Sequence, residues 1–125
     1  MSPDTIVYLN SIWARANDAI LVGHKEVQFR DGSIPAARCC HGNVDRWVTE
    51  NPYDTIVRGW CNVGGDKYSG WLTTHSVVRS GQELFDITPI DGRSALFIEH
   101  LGTVEEFEPF LAPRFNGFAW PQGAT

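Results

Sequence analysis

The apolar positions change period midway along the chain. Up to residue 50 they recur every three or four residues, and from Thr55 onward they alternate. In the first segment Ile6, Leu9, Trp13 and Ala16 fall on one helical face, with Ser2 placed to cap and Pro3 at the first helical position, where proline's missing N–H is no loss. The run HKEVQFR (24–30) alternates and is predicted as a short strand, closed by the turn Asp31-Gly32-Ser33. Residues 35–50 are predicted as a second helix, starting anywhere from Ser33 to Cys39 and weakened at Gly42. Cys40, Val44, Trp47 and Val48 share one face of it, while Asp45, Arg46 and Glu50 lie elsewhere on the wheel. Asn51-Pro52 stops it.

Beyond it, 55–63, 69–79, 83–88 and 94–98 are predicted strands rich in Val, Ile, Trp and Thr, separated by GGD and SG turn signals. Thr103-Val-Glu-Glu is a capping box that opens a short helix carrying Phe107, Phe110 and Leu111. The tail from Pro113 holds Phe115, Phe118 and Trp120 and is expected to pack back on the body. Helix, helix, then antiparallel strands gives an α+β class, an antiparallel sheet flanked by helices. At 125 residues, with no repeat or low-complexity linker, the chain fits a single domain, 1–125.

Composition narrows the partners more than the fold. The formal net charge is -5 and no Lys/Arg run is present, which argues against a nucleic acid or an anionic membrane surface as partner. Residues 1–18 lack the basic start and apolar core of a signal peptide. No window approaches the about 18 uninterrupted apolar residues of a membrane span. Three cysteines, an odd number without framework spacing, fit free thiols in a reducing, cytoplasmic setting.

The candidate chemistry starts at the hairpin GWLTTHSVVRSGQELFDITP (70–89). A two-residue turn at Ser80-Gly81, or a four-residue loop around it, pairs Arg79 with Gln82 or an equivalent register, and sets His75 directly opposite Asp86. Their Cβ atoms would lie about 5 Å apart. A carboxylate beside an imidazole orients the ring and stabilises its protonated form. A surface His–Asp pair is the bland reading of the same geometry. The stretch RCCHGNV (38–44) supplies a thiol. Near a helix N-terminus a cysteine gains thiolate character. Cys40 shares the face of Val44 and Trp47, whereas Cys39 is about 100° around the helix. Either one is also a common small core residue.

Cys40 in CCHGN, His75 in THSVV and Asp86 in FDITP, in that chain order, resemble the papain-like and transglutaminase-like cysteine enzymes. The FDITP run is similar to the D-P-T signature of the transglutaminase type, with Ile87 between Asp86 and Thr88. The resemblance covers roughly residues 35–90. It implies acyl transfer on amide bonds, as in a peptidase, amidase or deamidase, with a protein or peptide substrate and no cofactor. Cys40 would be the nucleophile, His75 the base and Asp86 its orienter. The papain-type glutamine before the cysteine is missing, since Ile34, Pro35 and Ala36 occupy that region. Backbone N–H groups, Asn43 or His41 are the candidate oxyanion donors, and Trp60 and Trp71 candidate pocket walls, core being the alternative role for each tryptophan.

Two other classes stay open. A zinc-dependent hydrolase could use Cys40 and His75 with Cys61 or His41, although the consecutive Cys39, Cys40 and His41 diverge on a helix and no metal is expected. A non-catalytic protein-binding module is the other. VGGDKYSG (63–70) lacks the G-K-[ST] ending of a phosphate loop and is expected to be a hairpin loop, while His24 and His100 are expected to be surface or structural. Nothing in the sequence encodes an oligomeric state.

Overall fold

The computed structural model describes residues 2–66, 69–89, 95–111 and 117–119. Helix α1 (Pro3–Ala14) starts as expected, with the Ser2 hydroxyl accepting from the Thr5 N–H at 3.2 Å, and buries Leu9, Ile12 and Trp13. Strand β1 (Ile20–Val22), helix α2 (Cys40–Glu50), strands β2 (Thr55–Asp66), β3 (Ser69–Ser80), β4 (Glu83–Phe85) and β5 (Ala95–Glu99), helix α3 (Val104–Phe107) and strand β6 (Phe118–Ala119) follow. The predicted capping box is present at α3, where the Thr103 hydroxyl accepts from the Glu106 N–H and the Glu106 carboxylate accepts from the Thr103 N–H. Three α-helices and an antiparallel sheet among the described residues make the α+β class the observed one.

The sheet runs β1-β5-β2-β3-β4, every pair antiparallel, and β6 joins β3 as well. β3 is therefore paired along one edge by β2, and on the other edge by β6 near Trp71 and by β4 near Ser80. Between those two contacts, residues 73–77 have no strand neighbour on that edge among the described residues. The sheet also curls until its ends meet. The Asp86 N–H donates to the Gly23 carbonyl at 3.0 Å, and the Lys25 N–H to the Asp86 carbonyl at 2.8 Å.

This closure corrects the strand expected at 24–30. The strand lies earlier, at the apolar run Ile20–Val22, and past it only His24 makes a bridge, parallel to Asp86. The expected turn at 31–33 is present, with Gly32 at φ 85°. Part of the tail packs back as β6; Phe115 and Trp120 lie outside the described residues.

Two apolar layers result. On the outer face, Trp60, Leu72 and Ile98 pack against Leu9, Ile12, Trp13, Phe107 and Phe110. Farther along it, Val78 and Phe85 meet Val44, with Trp47 and Val48 beside them. On the inner face, Val22, Val57, Val77 and Phe97 close on one another. Each such buried side chain contributes about 1.5–3 kcal/mol relative to exposure. Gly59 is required at its position, because a Cβ there would stand 2.5 Å from the Phe97 ring and against the Ile98 carbonyl. His100 is structural: its Nε2–H donates to the Thr103 carbonyl at 2.8 Å and its Nδ1 accepts from the Tyr8 hydroxyl at 2.7 Å.

Candidate active site

Side chains alternate along β3, so Thr73, His75 and Val77 point inward while Leu72, Thr74, Ser76 and Val78 point to the helices. His75 is buried on the inner face, opposite Gly59 and edge-on to Phe97 with ring centroids 6.3 Å apart. Its Nε2–H donates to Asp86 Oδ2 at 2.5 Å. Asp86 is fully buried, and its Oδ1 accepts from the Thr88 N–H at 2.9 Å. With its backbone tied to Gly23 and Lys25, the carboxylate is fixed from both sides.

The pair forms through a different register from the one expected. Ser80 pairs with Glu83 and Val78 with Phe85, so the turn residues are Gly81-Gln82. Gly81 takes φ 60°, the first central position of a type II′ turn, which favours glycine. The two-residue slip preserves parity. Asp86 stays on the face of His75 but lies diagonal to it, and the chain leaves β3 after Phe85 to cross to Gly23. Diagonal neighbours remain within reach of side chains of this length.

Cys40 is the first residue of α2. Ahead of it Arg38 adopts the left-handed φ of 63°, and Cys39 is the N-cap without a side-chain cap bond. The first-turn N–H groups of α2 thus meet no capping side chain, and the positive end of the helix dipole lies at the thiol. Cys40 is half-buried, with the imidazoles of His75 and His41 as its polar neighbours. Because Nε2 of His75 is committed to Asp86, its Nδ1 is the nitrogen left for sulfur.

The electrostatics follow from these contacts. Burial works against ionising Cys40, but the neighbouring imidazoles of His41 and His75 outweigh it and bring the thiol down to about 6. Burial likewise works against a charged His75, but the Asp86 and Cys40 hydrogen bonds and their negative charge raise it to about 9. Between those values the resting pair is thiolate and imidazolium. Cys61 contrasts with Cys40. It is buried without such donors, and burial together with the charges of Asp86 and Cys40 pushes it up to about 12. Cys39 is exposed.

The thiol opens on a cleft of about 550 Å³ lined by Ala37, Arg38, Cys40, Thr74, His75, Thr88 and Pro89. It sits at the unpaired stretch of the β3 edge, which is how a helix packed on the outer face reaches a histidine on the inner one. No family model, curated protein or solved structure matches this chain. The geometry therefore carries the functional reading alone.

The other residues singled out from sequence are placed as follows. The Asn43 amide donates to the Ala36 carbonyl at 2.8 Å and to the Thr88 hydroxyl at 3.0 Å, and its oxygen accepts from the Ala36 N–H at 3.2 Å. Both its hydrogens are committed, so it pins the two loops that wall the cleft. His41 Nδ1 meets the Ser76 hydroxyl at 2.6 Å and Nε2 the Thr74 hydroxyl at 3.1 Å. Trp60 is buried in the outer core and Trp71 is half-exposed; neither lines the cleft. Among the described residues no three His, Cys, Asp or Glu groups are arranged to hold a metal ion, and no helix is long and apolar enough to cross a membrane.

Sequence reasoning missed Thr74, Ser76 and Arg58. The Arg58 guanidinium, 11% exposed, donates to the Ser76 hydroxyl at 2.8 Å and to Asp45 Oδ1 at 2.8 Å. The available signal was the run TTHS in β3, whose parity sends Thr74 and Ser76 toward the helices, where apolar residues are the norm.

Proposed function

We propose that this protein is a cysteine-dependent acyl-transfer enzyme acting on amide bonds, with Cys40 as nucleophile, His75 as acid and base, and Asp86 as the group that holds His75. The observation that carries it is one thiol brought down to about 6 beside a histidine raised to about 9 by a buried carboxylate, at the wall of an open cleft. Perturbed groups of complementary sign in a cleft are what nucleophilic catalysis requires. The arrangement is similar to the papain-like and transglutaminase-like order of helix-start cysteine, strand histidine and carboxylate. A peptide or protein amide is the substrate class, and a reducing compartment such as the cytoplasm suits the free thiols.

The chemistry runs in two halves. The Cys40 thiolate attacks the carbonyl carbon; a C–S bond forms as the carbonyl π pair moves to oxygen. Collapse restores the C=O bond and breaks the C–N bond, and the departing amine takes the proton of the His75 imidazolium. Water then gives a proton to neutral His75 while its oxygen attacks the thioester, and collapse expels the Cys40 thiolate. An amine in place of water gives transamidation. The uncapped N–H groups of the first α2 turn, beside the thiol, are the backbone donors for the oxyanion in this reading.

Treatment with p-nitrophenyl acetate tests this reading. Cys40 should be acetylated selectively, faster than Cys39 and Cys61 by mass spectrometry, and Cys40→Ala should abolish nitrophenol release. Acetylation spread over surface groups, with release unchanged in Cys40→Ala, would overturn it.

A further inference from the structure

We infer that the hydroxyl of Thr74 is the side-chain oxyanion donor of this site, its hydrogen aimed into the cleft by a one-way chain of donors running Arg58, Ser76, His41, Thr74. The inference rests on the acyl-transfer reading above and identifies the donor that takes the place of the missing glutamine.

The direction of the chain follows from what each group can do. A guanidinium only donates, so the Ser76 oxygen accepts from Arg58 at 2.8 Å. Ser76 is fully buried, and its own hydrogen finds an acceptor in His41 Nδ1 at 2.6 Å. With Nδ1 accepting, the ring's hydrogen lies on Nε2, which donates to the Thr74 oxygen at 3.1 Å. Thr74 has then accepted, and its hydrogen remains to be donated. Thr74 lines the cleft with Cys40 and His75, so an oxygen developing negative charge there is the acceptor that completes the chain.

The charged groups around the chain agree with that direction. A guanidinium offers no acceptor, so the Ser76 hydrogen turns away from Arg58 and toward His41 Nδ1. Asp45 holds the guanidinium at 2.8 Å from the solvent side. Polarisation along such a chain strengthens its last donor. The carbonyl oxygen would thus be met by the α2 N–H groups on one side and by Thr74 on the other.

The test compares two reactions of one thiol. Alkylation of Cys40 by iodoacetamide forms no oxyanion, whereas acetylation by p-nitrophenyl acetate does. Thr74→Val should lower the acetylation rate constant by about 10²–10³-fold and leave the alkylation rate within a few-fold. Thr74→Ser, which keeps the hydroxyl, should restore most of the acetylation rate. In the native protein, 15N spectra of the neutral His41 ring should show hydrogen on Nε2, and Ser76→Ala should release that preference. Thr74→Val acetylating at the native rate, or His41 carrying its hydrogen on Nδ1, would overturn the inference while leaving Cys40 as nucleophile. Failure of the native protein to acetylate at Cys40 would instead defeat the acyl-transfer reading beneath it.

Discussion

His75 and His41 both act on the Cys40 thiol and are supported in opposite ways. Behind His75 stands a fully buried carboxylate, Asp86, on the inner face of the sheet. Behind His41 stand the Ser76 hydroxyl and then the Arg58 guanidinium, on the outer face under α2. The first support favours an imidazolium that can share and deliver a proton; the second sets the direction in which a ring passes a hydrogen bond along. Two identical side chains on one thiol acquire different duties because the charge beyond each has a different sign. The two faces of β3 keep those supports apart, since residues 74 and 76 point away from residue 75.

The largest effect should come from removing the charged support. Asp86→Asn is expected to lower acyl transfer by about 10⁴-fold, as loss of the orienting carboxylate does in catalytic triads. His75→Gln should take away the donor that holds the thiolate, and Cys40 alkylation at pH 7 should then fall by about 10-fold or more as the thiol moves back toward an ordinary pKa. If Asp86→Asn left acylation near the native rate, the difference between the two histidines would lose its physical basis.

The pH dependence sharpens the same contrast. The ion pair is complete above the thiol's value of about 6 and is lost above the imidazolium's value of about 9. Acyl transfer should therefore rise through about 6 and decline through about 9, and Asp86→Asn should move the alkaline limb to lower pH. Arg58→Met leaves the Asp86 support intact and should keep the alkaline limb where it is. Displacement of the alkaline limb by Arg58→Met to the same extent would mean that the two supports are not separate.

Smaller effects are expected from the packing beneath His75. Gly59→Ala drives a methyl into the Phe97 ring and the Ile98 carbonyl, and should destabilise the fold by about 1–3 kcal/mol in a urea titration. Phe97 lies edge-on to His75, so the surviving protein should also show a modest loss of acylation. Unchanged stability would mean that the sheet relaxes there more easily than its curl suggests.

How much of this was legible in the sequence depends on the kind of information needed. Parity was legible, because strands repeat every two residues, and parity alone places His75 and Asp86 on one face. Register was not. It turned on whether Gly81 stands first or second in its turn, and the type II′ geometry puts it first. The face of Cys40 was also readable, but not the way its helix begins, because Arg38 enters a left-handed conformation that few non-glycine residues adopt. The roles of His41 and Asn43 were beyond reach. Both depend on partners far away in sequence, Ser76 and Thr88, which no spacing rule joins. Trp60 illustrates the opposite hazard, since the family resemblance offers it as a pocket wall and its parity buries it under α1, the core role that is its other reading.

The most direct measurement is the rate of Cys40 alkylation by iodoacetamide across pH, read peptide by peptide with Cys39 as the exposed comparison. Cys40 should reach half its plateau near about 6, with a plateau extending through neutral pH, and should outpace Cys39 at pH 6.5–7. A Cys40 profile that rises only near the about 8.5 of an ordinary free thiol, with no lead over Cys39, would contradict the thiolate–imidazolium pair on which the whole site is built.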